Sequence, residues 1–470
     1  MDTDIDVGRV EVETCDDLVI GTGQAGKPLA GALADAGRRV VIVERDRVGG
    51  SCVVRGCTPS KTMAASARVA HLARRGAEYG VVTGPVSVRM DRVRTRKREI
   101  VDKGTRGSRK GLEGQDSIEL VCGEATFVSD RTVRIEAPGS APRRIRAERI
   151  FINTGARPRI PEVPGLEVAG FLDSTSIMEL GEVPDHLIVL GGGFVGIEFA
   201  QMFRRFGAAV TIVDEAPRLA PDEDDDVAEG IAEILRDDGI LVLPGVRATR
   251  VDRNGQGRVR VQLEGRAGSV SGSHILVAAG RVPNTEALDL EATGLEADDG
   301  GFVAVNERLE TGVPGIWALG DVAGSPPFTH MAYDDFRIVR DNLLGEGGAS
   351  TEGRVSTYTL FLDPELGRVG MTEAEAREAG HRVHVARLPM KDVARAAEMD
   401  ETRGFMKAVV DADSKRILGA AILGVAGGEV AAVIRIAMLG DLPYTALREV
   451  PISHPALAES LNTLFGEVDD

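Results

Sequence analysis

The chain is predicted to be an α/β protein built from two copies of one βαβ unit and closed by an α+β domain. Three observations predict this. A strand, a glycine-rich turn, a helix and a second strand occur in that order twice, with the same internal spacing. The 57 glycines among 470 residues suit tight strand-to-helix turns. After residue 353, strand-like runs (Ser356 to Leu362, Phe405 to Val410, Arg416 to Leu423) alternate with helical ones and no glycine motif accompanies them.

The first unit runs from Leu18-Val19-Ile20 through Gly21-Thr22-Gly23-Gln24-Ala25-Gly26 and an alanine- and leucine-rich helix to the strand Arg39 to Val43, ending on Glu44. The second runs from Leu187 to Leu190 through Gly191-Gly192-Gly193-Phe194-Val195-Gly196 to the strand Ala209 to Val213, ending on Asp214. A single G-x-G-x-x-G says little, because at this glycine content about one match arises by chance. Two matches, each between a strand and a helix and each 18 positions before an acidic strand end, indicate a duplicated dinucleotide-binding fold. The glycines let the backbone approach a pyrophosphate at the positive end of the helix, and the carboxylate accepts from a ribose. Gly21, Gly23, Gly26 and Glu44 are therefore expected to hold one dinucleotide. Gly191, Gly193, Gly196 and Asp214 are expected to hold the other. An acid at 214 would repel a 2′-phosphate and so favours NADH over NADPH, with Arg218 as a partial offset.

Composition excludes several classes. A net charge of −17 argues against phosphate-backbone binding and mostly serves solubility. No apolar run approaches the roughly 20 residues of a membrane span. The acidic start MDTDIDVGRVEVETCDD is unlike an export signal, so a cytoplasmic protein is expected. Four cysteines do not make a disulfide scaffold. Cys15 and Cys122 are expected to be packing residues.

The remaining pair, Cys52 and Cys57, reads as catalytic, structural or half of a metal site; with no second pair to complete a tetrahedral site, no metal centre is expected. Gly56 supplies the bend that would bring the sulfurs together. Thr58-Pro59-Ser60-Lys61 reads as a helix start with threonine as cap and proline first, where the dipole would favour a thiolate at Cys57. Lys61 lies one turn further on, and Glu198 is a candidate counter-charge, although spacing alone also allows two unrelated surface charges. His454-Pro455, followed by Glu459, offers a proton-shuttling histidine with a carboxylate to hold its tautomer, or ordinary structure. Thr154-Gly155 and Gly320-Asp321 are strand-end turns, where ligands gather. Arg89 to Lys110 reads as a solvated helix, and Pro221 to Asp226 as an acid cluster at a helix start.

With these residues in place, the order GTGQAG, GGSCVVRGCTPSK, NTGARP, GGGFVGIE, AAGRVPN, ALGD, SHPALAE resembles the class I pyridine nucleotide–disulfide oxidoreductases, the flavoprotein disulfide reductases, over nearly the whole chain. Within the family, FAQMFRRFG, FTHMAYDDFRIVRDNL and GRVGMTEAEAR look most like the mercuric-reductase-like branch that includes a reactive-chlorine-resistance copper(II) reductase. The resemblance implies an FAD-binding domain over 1–170, an NAD(P)-binding domain over 171–282, a second FAD or central part over 283–352 and a dimerisation domain over 353–470. It implies FAD contacts from Gly21, Gly23, Gly26, Glu44, Gly50, Ser51, Lys61, Thr154, Gly155 and Asp321. NADH or NADPH would meet Gly191, Gly193, Phe194, Gly196, Asp214, Gly280 and Arg281.

The same resemblance makes Cys52 and Cys57 a redox disulfide, with Cys57 toward the flavin and Cys52 toward substrate. Lys61 and Glu198 become an ion pair at the flavin. His454 and Glu459 reach the active site of a partner subunit, which makes the homodimer necessary. Ile452 stands where glutathione- and lipoamide-type enzymes often carry a histidine, and Phe194 where a tyrosine commonly shields the flavin. The implied activity is an FAD-dependent NAD(P)H oxidoreductase passing electrons through Cys52–Cys57 to a disulfide or a soft metal ion. A mycothione- or lipoamide-type disulfide reductase is the alternative. The intact set of Cys52, Cys57, Lys61, Glu198, His454 and Glu459 speaks against a redox-inert flavin-binding protein, and the second cysteine against a single-cysteine oxidase or peroxidase.

Overall fold

The structure, a computed structural model, describes residues 12–255, 257–265 and 268–468. Most of the acidic N-terminal stretch read above, residues 1–11, lies outside the described residues. The backbone divides into two units, one of Met1–Ser60, Arg96–Arg157 and Arg281–Arg354, the other of Lys61–Thr95, Pro158–Gly280 and Val355–Asp470.

In the first unit the strands Val12–Ile20 and Val40–Glu44 pair in parallel, and the sheet continues through Ile118–Cys122 on one side and Arg143–Ile152 on the other. Thr132–Glu136 and Glu124–Ser129 extend it antiparallel, and Ile316–Ala318 adds a short parallel edge. The helix Gly26–Asp35 buries Leu29, Ala30 and Leu33 against one face, a stripe at helical spacing. Asp17 is fully buried in this sheet and is paired with both Arg38 and Arg149. Cys15 packs in the core as expected. Cys122 does not: it is exposed and accepts a hydrogen bond from Arg109 Nη2 at 3.8 Å. The reason is its place at the end of the outermost strand of the sheet.

The second unit repeats the theme. Leu241–Leu243, Ala209–Val213, His186–Leu190 and His274–Val277 form a parallel sheet in that order, and the helix Phe194–Phe206 packs Ile197, Ala200 and Phe203 into its core. The terminal segment forms a five-stranded antiparallel sheet, Thr357–Leu360, Glu365–Gly370, Ile417–Gly424, Phe405–Asp411 and Val383–Pro389, backed by the helices Gly427–Leu439 and Ser460–Gly466.

Of the stretch Arg89 to Lys110, Arg89 precedes the helix and the rest is helical, within Met90–Glu113 and more than half exposed. The acid cluster is only partly a helix start. Asp225 and Asp226 sit in the first turn of Asp225–Asp237, but Asp224 makes no cap for that helix. Its carboxylate accepts from Glu373 and Ala374 N–H groups and from the buried Lys407 Nζ, so it serves the start of another helix, Glu373–Glu378. Among the described residues no helix is long and apolar enough to cross a membrane.

Candidate active site

Cys52 lies on the short helix Gly50–Val54, and Cys57 opens the long helix Cys57–Arg74. That helix starts one residue before the expected threonine cap, which puts Pro59 third. Proline is tolerated there because first-turn N–H groups have no helical acceptor to lose. Gly56 acts by close approach: a Cβ there would stand 2.9 Å from Ser51 O and 3.3 Å from Cys52 Cα. Both cysteines are thiols, joined by a hydrogen bond between their side chains, with Cys52 half-buried and Cys57 exposed. The bond to Cys57, with burial, pushes the Cys52 thiol far above the ordinary cysteine range, while the Thr329 hydroxyl and the Lys27 ammonium pull it down. Cys57 Sγ is also 3.4 Å from Thr329 Oγ1. Two thiols in contact can close to a disulfide by giving up two electrons and two protons.

The two glycine turns are wired alike. Thr22 N donates to Glu44 Oε2 at 3.1 Å and Asp46 N to Oε1 at 3.0 Å. Gly192 N donates to Asp214 Oδ2, and Ala216 N to Oδ1 at 2.9 Å. Each carboxylate is thus aimed by its own loop and by the backbone two residues on. Gly196 packs its helix so closely that a Cβ would lie 2.0 Å from Gly191 O.

Around the first turn, the structure adds residues to which sequence reasoning gave no role. Asn153 is buried, accepting from Gly26 N at 2.9 Å and donating to Leu319 O at 2.7 Å, so one amide joins the glycine turn to two strand ends. Thr154 Oγ1 is buried with no hydrogen-bond partner among the described residues, beside Gly155, whose carbonyl accepts from Asn284 N. Burial raises the Asp321 carboxyl above its ordinary range, opposed by Arg281 at 3.4 Å. The turn carrying Asp321 is pinned by Asp335, which is fully buried. Its Oδ2 accepts from Gly320 N and Ser325 Oγ, and its Oδ1 from Arg354 Nη2, all at 2.7 Å. An orphaned hydroxyl, a carboxylate at the strand end, Glu44, and a glycine turn at a helix start fit a dinucleotide. Gly50 and Ser51 open the helix that carries Cys52.

The nicotinamide set is divided. Gly191, Gly193, Phe194, Gly196, Asp214 and Gly280 belong to the second unit, whereas Arg281 belongs to the first and donates to Ala156 O and Asp321. Arg218 is engaged in its own loop, donating to Pro221 O and Glu223 O and pairing with Asp225 at 2.6 Å. Phe194 opens its helix with its ring 5.1 Å from that of Tyr358, whose hydroxyl donates to the buried Glu223.

Lys61 and Glu198, 137 residues apart, do meet: Nζ donates to the two carboxylate oxygens at 3.0 and 2.7 Å. Phe361 completes the cluster, its N–H donating to Glu198 at 3.0 Å and its ring 4.9 Å from Nζ. His454 Nδ1 lies 2.9 Å from Glu459 Oε2, and the histidine side chain is 70% exposed. Nδ1 is thus the engaged nitrogen, and Nε2 makes no hydrogen bond among the described residues.

The model of the family "Pyridine nucleotide-disulphide oxidoreductase" matches residues 16–335, and that of its dimerisation domain residues 356–465. Among curated proteins, the chain is 39% identical to the probable pyridine nucleotide-disulfide oxidoreductase RclA of Escherichia coli, covering 96% of this chain and 98% of that one. It is 33% identical to a mercuric reductase of Staphylococcus aureus, covering 94% and 80%. The solved structure titled as the Cu(II) complex of the HOCl-induced flavoprotein disulfide reductase RclA from Escherichia coli superposes with a TM-score of 0.88 at 38% identity, covering 97% of this chain and 100% of that chain. With its duplicated glycine turns, its adjacent thiols and these matches, the chain belongs to the pyridine nucleotide–disulfide oxidoreductases, flavoenzymes that work with FAD and a pyridine nucleotide.

Proposed function

We propose that the chain is an FAD-dependent NAD(P)H oxidoreductase that passes electrons through Cys52 and Cys57 to a small disulfide or a soft metal ion. The observation that carries this reading is the contact between the two thiols at the first turn of Cys57–Arg74. Gly21, Gly23, Gly26, Glu44, Gly50, Ser51, Thr154, Gly155 and Asp321 would hold FAD, with Lys61 facing it. Gly191, Gly193, Phe194, Gly196, Asp214 and Gly280 would hold the nicotinamide nucleotide, NADH before NADPH, and Arg281 would act by steadying Asp321. Bound FAD supplies the relay between a two-electron hydride donor and the sulfur pair.

The residues then divide the work. Cys57 receives the electrons and Cys52 leaves as the free thiol. The Cys52 thiolate attacks one sulfur of an acceptor disulfide, the other sulfur departs as a thiolate, and Cys57 resolves the mixed disulfide. His454, its Nδ1 held by Glu459, would donate the proton to the departing sulfur from Nε2. We place this pair at the Cys52–Cys57 site of a second subunit, so that a cytoplasmic homodimer is the working form. Two thiolates also suit copper and mercury, in keeping with the copper complex and the mercuric reductase among the relatives.

The test is NADH- and NADPH-driven turnover of copper(II), mercury(II), mycothione disulfide, lipoamide and glutathione disulfide, with both cysteines replaced by serine as control. The serine variant should still be bleached by NADH at the flavin band yet lose acceptor reduction. Full turnover of the preferred acceptor by that variant would refute the sulfur route.

A further inference from the structure

Two helices present charges at the same spacing to one short loop. Lys61 and Arg68 lie seven residues apart on Cys57–Arg74, and Glu198 and Arg205 lie seven apart on Phe194–Phe206, so each pair falls on one helix face. The loop of residues 361–364, which joins the antiparallel strands Thr357–Leu360 and Glu365–Gly370, meets both pairs. Its first residue serves the Lys61–Glu198 end: Phe361 N–H donates to Glu198 Oε1 at 3.0 Å, and its ring lies 4.9 Å from Lys61 Nζ. Asp363 serves the other end, where Oδ1 pairs with Arg68 Nη1 at 3.1 Å and Oδ2 with Arg205 Nη1.

The backbone of Asp363 is gripped as well. Gln201, on the same helix face as Glu198, accepts from Asp363 N at 2.7 Å through Oε1 and donates to Asp363 O at 2.9 Å through Nε2. Arg205 Nη2 donates to the same carbonyl at 2.8 Å. Gln201 is 3% exposed and Arg205 4%, so these bonds are made away from water, where losing one is costly. Gln201, Arg205 and Asp363 have no part in the sulfur route. We propose that they are positioning residues for the Lys61–Glu198 pair, acting through residues 361–363. The grip on Asp363 fixes the Phe361 N–H two residues earlier, that N–H fixes how the Glu198 carboxylate faces, and the carboxylate with the Phe361 ring fixes Nζ. The proposal rests on the reading that Lys61 faces the flavin and says what sets the charge presented there. An ammonium held at a flavin favours its reduced, more negative form. Freedom given to Lys61 therefore lowers the flavin potential.

The experiment uses the flavin-loaded protein with Cys52 and Cys57 replaced by serine, so that the flavin is the one couple titrated. Gln201→Leu keeps the bulk and removes both grips on Asp363. Asp363→Asn keeps the backbone for Gln201 and removes the charge, and it carries the test if the first variant folds poorly. Leu235→Ala, which opens the same hydrophobic core without a polar contact to the loop, is the structural control. The rate of Lys61 acylation by an N-hydroxysuccinimide ester, counted by mass spectrometry, should rise about three- to tenfold in Gln201→Leu and about threefold in Asp363→Asn, and stay at the parent rate in Leu235→Ala. The flavin equilibrium should shift about tenfold toward the oxidised form in Gln201→Leu, about 30 mV for two electrons, and that shift should vanish in a Lys61→Met background. Unchanged acylation in both loop variants would overturn the proposal, as would an equal rise in Leu235→Ala or a potential shift that persists in the Lys61→Met background. A potential untouched by Lys61→Met itself would instead sink the placement of Lys61 at the flavin and leave the acylation comparison readable.

Discussion

Replacing Asp335 by alanine strips three hydrogen bonds from a carboxylate with no solvent exposure. The donors left behind are Gly320 N, Ser325 Oγ and Arg354 Nη2, each at 2.7 Å. Arg354 is 12% exposed and keeps Asp334 at 3.1 Å, so its charge is only partly orphaned. An unsatisfied buried donor costs about 1–3 kcal/mol, and breaking a buried ion pair about 3–5 kcal/mol. The partial rescue by Asp334 sets the expectation at about 3–4 kcal/mol for Asp335→Ala, and about half that for Asp335→Asn, which still accepts one bond. The loss falls on the turn that carries Asp321, so flavin should leave before the fold fails. Urea unfolding followed by flavin fluorescence, with the ratio of flavin to protein after dialysis, measures both effects. An alanine variant that keeps its full flavin content and unfolds within about 0.5 kcal/mol of the parent would refute the reasoning.

Three further outcomes are expected. Asp214→Asn keeps an acceptor for the loop but removes the charge, so the NADH-to-NADPH ratio of kcat/KM should fall by about tenfold, read from initial rates with each nucleotide. His454→Asn should lower turnover of a disulfide acceptor by about 10²- to 10⁴-fold with little change in flavin bleaching by NADH, a split that stopped-flow absorbance resolves. Burial works against ionised Asp363, but Arg205 and Arg68 outweigh it and hold its carboxyl below the ordinary range. Its contribution is therefore present above the unfolded aspartate range and is lost as pH falls through the lowered folded value. Asp335 has the opposite sign, since burial raises it, so the Gly320–Asp321 turn should outlast the Asp363 cluster in an acid titration followed by circular dichroism and flavin fluorescence.

What could be read from the sequence was local. The two glycine turns, their acidic strand ends and the cysteine pair are short-range patterns tied to a strand or a helix start, and the structure has the strand, turn, helix and strand of both units in the expected order. The terminal strands were legible for the same reason, as runs of alternating or continuous apolar residues. Lys61 and Glu198 were not legible from spacing, because a pair 137 residues apart leaves no periodic trace; only the resemblance brought them together. Asn153 and Asp335 lie in segments that carried the resemblance, but nothing there assigned either a role, because their importance arises from burial among backbone groups far along the chain. The resemblance places Arg281 with the nicotinamide set, and the structure adds what no motif says, that its side chain donates to Ala156 O and Asp321. Cys122 misled because alternation marks a strand without saying which edge of the sheet it will form.

The self-tethered carboxylates of Glu44 and Asp214 carry one more implication. Both are already oriented by backbone donors before any nucleotide arrives. On the proposed reading a ribose would meet a preset receptor, with little ordering cost at the encounter. Discrimination between one nucleotide and another would then come from the arriving molecule's own fit and charge, and a swap of preference would need few substitutions because each acid is held by backbone donors whatever nucleotide arrives.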